Sequence, residues 1–186
     1  MGKMRPILFS TPMVQAILEG RKTQTRRIKY KCEVGDVLWV RETFNWLKLP
    51  MMENAEYWYK ADENLKRLNP DDKWKPSIFM PRAAARIFLR VKAVRKEPLQ
   101  NITEEDAINE GVETECMNPS QTIFHNENIE CLKINCLGCD KICVTGFMKL
   151  WNSLNAKRGC SWDSNPLVKV IEFERIHNYG GKNGIF

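Results

Sequence analysis

The chain has 186 residues, of which 43% are hydrophobic and 28% charged, and it carries a formal net charge of +6. This composition is typical of a globular domain and excludes wholesale disorder, and no apolar run approaches the roughly 20 residues that a membrane-spanning helix needs. Seven cysteines without a secretory signal favour reduced thiols or a metal site over a disulfide framework, so we expect a cytoplasmic protein.

A short helix over residues 13–20 is the first predicted element. Ser10 and Thr11 offer hydroxyl groups for an N-cap, Pro12 suits the first helical position, and Gly20 suits the C-terminal cap. Three apolar side chains share one face of this helix and are expected in the core. They are Val14, Ile17 and Leu18.

A strongly basic segment follows directly. Residues 20–27 read GRKTQTRR, called the basic motif below, and six cations fall within residues 21–31. They alternate with hydroxyl and amide side chains rather than with hydrophobic ones, and the C-terminal end of a helix favours positive charge. The basic motif therefore predicts a polar site for an anionic or polar ligand, and we expect it to bend inward over a recess.

Further elements are predicted from alternation and from helix caps. Strands are expected over residues 37–44, 57–61, 87–95 and 167–175, and helices over residues 103–111 and 147–159. The last helix carries an apolar stripe of Phe147, Leu150, Trp151 and Leu154. We expect a single α+β domain over residues 1–178. It carries an aromatic-rich insertion at 45–82, a cysteine-rich insertion at 113–143 and a flexible tail at 179–186.

The cysteine-rich insertion has a spacing that fits a metal site. Four cysteines are separated by four, two and three residues, and four thiolates at such close range satisfy tetrahedral zinc. Structural zinc, free thiols and an iron–sulfur cluster of ferredoxin-type spacing all stay open, with Cys116 and His125 as substitute ligands. The four candidates are Cys131, Cys136, Cys139 and Cys143.

Several stretches in order resemble the ASCH (activating-signal-cointegrator homology) family of PUA-like domains. They lie at residues 6–13 (PILFSTPM), 20–27 (GRKTQTRR), 35–42 (GDVLWVRE), 75–82 (KPSIFMPR), 102–107 (ITEEDA), 162–163 (WD) and 170–173 (VIEF). The chain looks most like the longer form found in phage and prophage proteins. The resemblance implies a PUA-like small β-barrel with short flanking helices and a cleft under the first helix, which holds RNA or a nucleoside.

One branch of that family hydrolyses N4-acetylcytidine, and the resemblance places its proposed catalytic group on Lys22, Thr25 and Glu110. In this hypothesis the Thr25 hydroxyl is the nucleophile and Glu110, at a helix end, gives a proton to the leaving amine. Lys22 takes the proton of the hydroxyl, which requires that burial and neighbouring cations lower its pKa. The chain is therefore either an amidohydrolase of this type or a binding domain without turnover.

The binding alternative uses arginines for phosphates and tryptophans for base stacking, the usual combination for single-stranded RNA. Trp39 and Trp162 are candidates both for stacking and for the core, and Arg86 is a candidate phosphate ligand. The predicted ligand-binding residues are Arg21, Arg26, Arg27, Arg41, Trp74, Ser77 and Arg82.

Overall fold

The structure is a computed structural model that describes residues 2–47, 56–62, 73–112 and 142–177. Among these residues no helix is both long and apolar enough to cross a membrane. Seven strands and three helices are described. The strands are β1 (Met4–Leu8), β2 (Gln24–Arg27), β3 (Val37–Arg41), β4 (Phe44–Leu47), β5 (Glu56–Tyr59), β6 (Phe88–Pro98) and β7 (Leu167–Ile176). The helices are α1 (Thr11–Leu18), α2 (Glu104–Asn109) and α3 (Ile142–Asn155).

Five strands form the main sheet in the order β1-β3-β6-β7-β2. The β1–β3 pair is parallel, and the other three pairs are antiparallel. β4 and β5 make a separate two-stranded hairpin, which the backbone of Lys75 extends by pairing with Phe44. The α+β class is thus confirmed.

The ladder of the main sheet does not close. Within the described ranges no backbone pairing joins the edge strands β1 and β2, so a closed barrel is not formed there. Two side chains span the seam between these edges instead. The Arg27 guanidinium donates to the Leu8 carbonyl at 3.0 Å, and the Tyr30 hydroxyl donates to the Pro6 carbonyl at 2.8 Å.

The helices divide the hydrophobic core into two main parts. α1 packs Val14 and Ile17 against the strands, with Leu38, Leu89 and Ile171 beneath them. α2 and α3 cover the other part of β7, where Phe147 and Trp151 are buried with Val168 and Val170. The predicted stripe of α3 is correct for Phe147 and Trp151 but wrong for Leu154, which is 55% exposed because the helix is ending there.

Local signals explain where the helices begin and end. Ser10 is the N-cap residue of α1, with Pro12 in its first turn, although the Ser10 side chain makes no capping bond. Thr103 caps α2 by accepting from the Asp106 amide at 3.1 Å. The Glu104 carboxylate accepts from the amides of Cys143 and Val144, which lie in the first turn of α3.

Two differences from the predicted elements affect the site. The basic motif is not only a bend, since its second half forms β2. The strand predicted over residues 37–44 ends at Arg41, and Phe44 begins the hairpin instead. Most of the cysteine-rich insertion and the tail lie outside the described residues, and Ile142 and Cys143 belong to α3.

Candidate functional site

The basic motif lies where α1, α2 and β7 meet. Gly20 has a φ of +80°, which ends α1 and turns the chain toward the sheet. The Lys22 amide then donates to the Ala16 carbonyl at 3.0 Å, and the Thr23 amide donates to the Asn109 carbonyl at 2.9 Å. From Gln24 onward the chain pairs with β7, so backbone hydrogen bonds hold the motif to α1, α2 and β7.

A glycine at the end of α2 allows the close approach of this helix to the basic motif. Gly111 has a φ of +77°, and a Cβ atom built there would lie 2.9 Å from the Cβ atoms of both Ala16 and Lys22. No larger residue fits this position without displacing its neighbours. The Lys22 side chain is therefore held against the C-terminal end of α2.

Lys22 and Glu110 form a buried ion pair. The two residues are 3% and 4% exposed. The Lys22 amine donates to the Glu110 carboxylate at 2.9 Å, to the Glu110 carbonyl at 2.6 Å and to the Gln24 carbonyl at 2.8 Å. All three N–H donors of an ammonium group thus have acceptors.

The surroundings of Lys22 favour a lower pKa than that of a free lysine. Burial is the largest cause, and the neighbouring Arg27 and Arg26 act in the same direction. Glu110 opposes this effect through its charge and its hydrogen bond. The direction agrees with the sequence-based expectation for Lys22, although burial contributes more than the adjacent cations.

Arg26 lies inside the protein and is committed to carboxylates. It is 2% exposed, and its guanidinium donates to Glu97 at 2.7 Å, to Asp106 at 2.7 Å and to Glu110 at 3.3 Å. The Gln24 side chain adds bonds to Asp106 at 2.8 and 3.0 Å. These side chains form the polar network of the site.

The polar network continues to the surface through Arg95. Its guanidinium donates to Glu97 at 3.1 Å, to Asp106 at 3.0 Å and to Glu172. Burial opposes ionisation of Asp106, but the bonds from Gln24 and Arg26 outweigh it and hold the pKa of Asp106 below its ordinary value. Charged partners therefore alternate in sign along the whole network.

Thr25 lies on β2 between Gln24 and Arg26 but makes no hydrogen bond to this network. Its side chain is 1% exposed, and in the described part of the chain its hydroxyl oxygen has no hydrogen-bond partner. The Arg26 Nε atom is also buried and unpaired. Buried polar groups are nearly always bonded, so two unpaired atoms on consecutive residues of β2 mark an unusual position.

The other two arginines of the basic motif differ in exposure. Arg21 is exposed, and its guanidinium pairs with Glu19 at 2.6 Å. Arg27 is half-buried, lies 5.2 Å from the centre of the Phe9 ring and reaches the Leu8 carbonyl across the seam. Burial lowers the pKa of Arg27 relative to a free guanidinium group. The Lys22 amine lies 5.5 Å from the same Phe9 ring.

The remaining predicted ligand-binding residues lie elsewhere. Arg41 ends β3 and donates to the Ile78 carbonyl, while Trp74 and Ser77 are half-buried and Arg82 is exposed in the segment after the hairpin. Within the described residues, no hydrogen bond or ion pair joins these four to Lys22, Thr25 or Glu110. Arg86 is engaged by Glu42 and Asp62, so it holds β3 to the end of β5.

The predicted zinc ligands are described only in part. Cys131, Cys136 and Cys139 lie outside the described residues, so the metal site stays a prediction. Cys143 is buried in the first turn of α3. Burial and the neighbouring Glu104 raise the pKa of the Cys143 thiol to about 11, the opposite of what an exposed, reactive thiol needs.

An open depression of about 330 Å³ lies at the other end of α2, between Thr103 and α3. Of the sequence-based stacking candidates, only Trp162 contributes to its wall.

The polar network was mostly missed from the sequence. Asp106 was recognised only as part of a helix cap, and the roles of Gln24, Glu97 and Arg95 depend on contacts that no local pattern shows.

No protein-family model and no curated protein sequence matches the chain. The chain is similar to the solved structure of an ASCH domain from Lactobacillus crispatus JV V101, with a TM-score of 0.44 and 11% identity, over 93% of this chain and 79% of that one. It is also similar to a DUF984 protein from Enterococcus faecalis V583, with a TM-score of 0.46 and 11% identity, over 100% of this chain and 86% of that one. An ASCH domain is thus among the solved structures that this chain resembles.

Proposed function

We propose that this chain is an ASCH-type domain that binds RNA or a modified nucleoside, and that the base is recognised beside the Lys22–Glu110 pair. One observation carries the proposal. The basic motif carries a buried, fully bonded Lys22–Glu110 pair and, three residues after Lys22, a buried Thr25 hydroxyl that has no hydrogen-bond partner among the described residues. The order of the sequence motifs supports the family assignment, and the two similar structures are not needed for it.

Burying so much charge is unfavourable unless each group is paired, and a hydrophobic replacement is often as stable. A domain of this size does not need Lys22, Arg26 and Glu110 in its interior in order to fold. Perturbed ionisable groups cluster at functional sites, and the lowered pKa of Lys22 fits that pattern. The network is therefore interpreted as a recognition site rather than as a structural core.

The charges of the network favour a base over a free phosphate. Its cations are Lys22, Arg26 and Arg95, and each one is bonded to at least one carboxylate. A phosphate would have to displace those carboxylates, whereas a neutral heterocycle only needs donors and acceptors in fixed places. Proteins recognise unstacked RNA bases through hydrogen bonds to the polar edges of the bases.

The seam between β1 and β2 offers the route of entry. Among the described residues, the hydrogen bonds that join these edges come from the side chains of Arg27 and Tyr30, so a ligand can separate the edges without breaking a backbone ladder. Phe9 lies behind Arg27 and is close to Lys22, which gives a base an aromatic surface beside the network.

Titration calorimetry with cytidine, N4-acetylcytidine and a short RNA tests the proposal. Lys22→Met and Glu110→Gln are expected to weaken binding at least tenfold, since a hydrogen bond to a charged group contributes about 1.5–3 kcal/mol. Arg21→Gln is the matched control, because Arg21 is exposed and, among the described residues, its ion pair is with Glu19. Unchanged binding by folded Glu110→Gln protein would contradict the proposal.

Hydrolysis of the acyl group is the second candidate, and the unbonded Thr25 hydroxyl is what favours it. In this reaction the Thr25 oxygen bonds to the acyl carbon, its proton passes to Lys22, and the C–N bond breaks with a proton from Glu110 to the amine. Water then cleaves the threonyl ester and releases acetate.

Two observations make binding the better-supported function. All three donors of the Lys22 amine are engaged, and Lys22 makes no hydrogen bond to the Thr25 hydroxyl. Chromatography of N4-acetylcytidine incubated with the protein decides between the two. Conversion to cytidine that Thr25→Ser retains and Thr25→Val abolishes would establish hydrolysis.

A further inference from the structure

A second surface carries features that the nucleoside site does not use. It lies on the β4–β5 hairpin and on the segment after it, where Trp46 is 42% exposed, Ile78 58% and Phe79 71%. In the part of the chain that the structure describes, Trp46 and Phe79 are the two exposed aromatic side chains. Both lie within this one region, although aromatic side chains are usually buried in the hydrophobic core.

Direct contacts join the hairpin and β3 to the segment that carries Ile78 and Phe79. The Lys75 amine lies 4.4 Å from the centre of the Trp46 ring, and the backbone of Lys75 pairs with Phe44 on β4. Three residues later, the Ile78 carbonyl accepts from Arg41, whose guanidinium lies 5.5 Å from the Trp39 ring. We call this the hairpin surface, defined by Arg41, Trp46, Lys75, Ile78, Phe79 and Arg82.

The charge of this region is predominantly positive. Its described residues, 41–47, 56–59 and 73–82, include the cations Arg41, Lys73, Lys75 and Arg82. They include two carboxylates, Glu42 and Glu56. Glu42 is 1% exposed and is bonded twice to Arg86, so it does not neutralise the surface. Exposed aromatic rings are therefore combined here with cations.

We propose that the hairpin surface binds single-stranded nucleic acid. Bases stack on Trp46 and Phe79, and the phosphates meet Lys75 and Arg82. This combination of aromatic rings for stacking and cations that follow the backbone is how proteins hold single strands without reading their sequence. The site goes beyond the nucleoside site: the two meet at the β1–β3 pair, where the Phe9 amide donates to the Arg41 carbonyl at 3.2 Å, but they share no residue.

Other occupants fit the surface less well. A hydrophobic partner would gain from Phe79 and Ile78 but would have to bury Lys75, whose amine already lies against Trp46. A duplex keeps its bases stacked inside and leaves nothing for the aromatic rings. Single strands satisfy both kinds of side chain, and RNA and DNA share this chemistry.

Fluorescence anisotropy with labelled oligonucleotides of about 12 nucleotides provides the test. The labelled nucleic acids compared are oligouridine, oligothymidine and an RNA duplex. Trp46→Ala and Phe79→Ala are each expected to weaken single-strand binding about 5-fold to about 150-fold. Both side chains are exposed, so the variants keep the fold. Leu154→Ala, which removes a comparably exposed apolar side chain from α3, is the control and leaves the affinity unchanged.

Salt dependence tests the phosphate contacts separately. Replacing Lys75 or Arg82 by Gln is expected to reduce the slope of log affinity against log salt by about 1 each. The nucleoside site is tested with cytidine and N4-acetylcytidine and the hairpin surface with oligonucleotides, so failure here is distinguishable from failure at the nucleoside site. Three results would overturn the proposal. They are no binding of either single strand, an affinity of both aromatic variants equal to that of the wild type, or a dimer in solution that Phe79→Ala converts to a monomer.

Discussion

At the scale of single residues, the proposed role of Thr25 and its effect on stability oppose each other. A buried hydroxyl without a partner destabilises a protein by about 1–3 kcal/mol, and an isosteric apolar group removes that penalty. Thr25→Val is therefore expected to raise the free energy of unfolding by about 1 kcal/mol while it weakens ligand binding or turnover. Urea denaturation measures the first effect.

The same substitution at Thr103 is the control for this prediction. The Thr103 hydroxyl accepts from the Asp106 amide at the start of α2, so Thr103→Val loses a helix cap and is expected to lower stability by about 1 kcal/mol. The two Thr→Val variants should thus shift the urea midpoint in opposite directions. A loss of stability in Thr25→Val would show that the hydroxyl has a partner in the folded protein.

The resemblance places a proposed catalytic group on Lys22, Thr25 and Glu110, but it does not give the contacts that these residues make. The contact between Lys22 and Glu110 joins positions 88 residues apart, and no spacing rule predicts it. The sequence also does not predict that Arg26 points inward. Its guanidinium, expected to bind a phosphate, is already bonded to three carboxylates.

At the scale of secondary structure, the junction between α1, α2 and the basic motif depends on Gly111. Gly111→Ala is expected to destabilise the protein by about 2–3 kcal/mol, because it adds a strained φ and a Cβ atom at 2.9 Å from Ala16 and Lys22. It should also weaken nucleoside binding by displacing Lys22. Thermal or urea unfolding and the calorimetric titration check both effects.

Gly20 provides a matched control for Gly111. Its φ is +80°, but nothing lies within 4 Å of a Cβ atom built there. Gly20→Ala is thus expected to destabilise by about 1–2 kcal/mol, from backbone strain alone, and to leave ligand binding nearly intact. Equal effects of the two variants would mean that the close approach of α2 to Lys22 is not maintained by the glycine.

Elements with strong local signals were predictable, and elements defined by long-range contacts were not. α2 has a capping box and a terminal glycine, and β6 alternates apolar with charged residues, so both were expected near their observed places. β2 was missed because it buries Gln24 and Arg26, which removes the usual alternation. β1 contains Pro6, which a strand tolerates at the edge of a sheet.

At the scale of the whole molecule, the seam between β1 and β2 makes the stability of the sheet depend on pH in the alkaline range. Burial raises the pKa of Tyr30 to about 12, so the folded protein keeps this proton more tightly than the unfolded chain. The stability from Tyr30 is full below about pH 10 and is lost as the pH rises toward about 12.

Tyr30→Phe is the variant that tests the seam. It loses the bond to the Pro6 carbonyl, so it should be less stable than the wild type by about 1 kcal/mol at pH 8. That difference should shrink above pH 10, and the amides of β1 should exchange faster. Tyr57→Phe, on the hairpin, should leave β1 exchange unchanged. A pH-independent difference would show that the phenol does not titrate in the seam.

The separation of Lys22 from Glu110 along the chain also orders events during synthesis. A ribosome releases the N-terminal half first, so the basic motif emerges long before the acidic helix that neutralises it. Until α2 has left the exit tunnel, Lys22 lacks its carboxylate partner and Arg26 lacks two of its three, so part of the positive charge of the motif is unpaired next to ribosomal RNA. Formation of the Lys22–Glu110 pair therefore coincides with the loss of that charge, and a fragment that stops before residue 104 keeps the charge and lacks the pair.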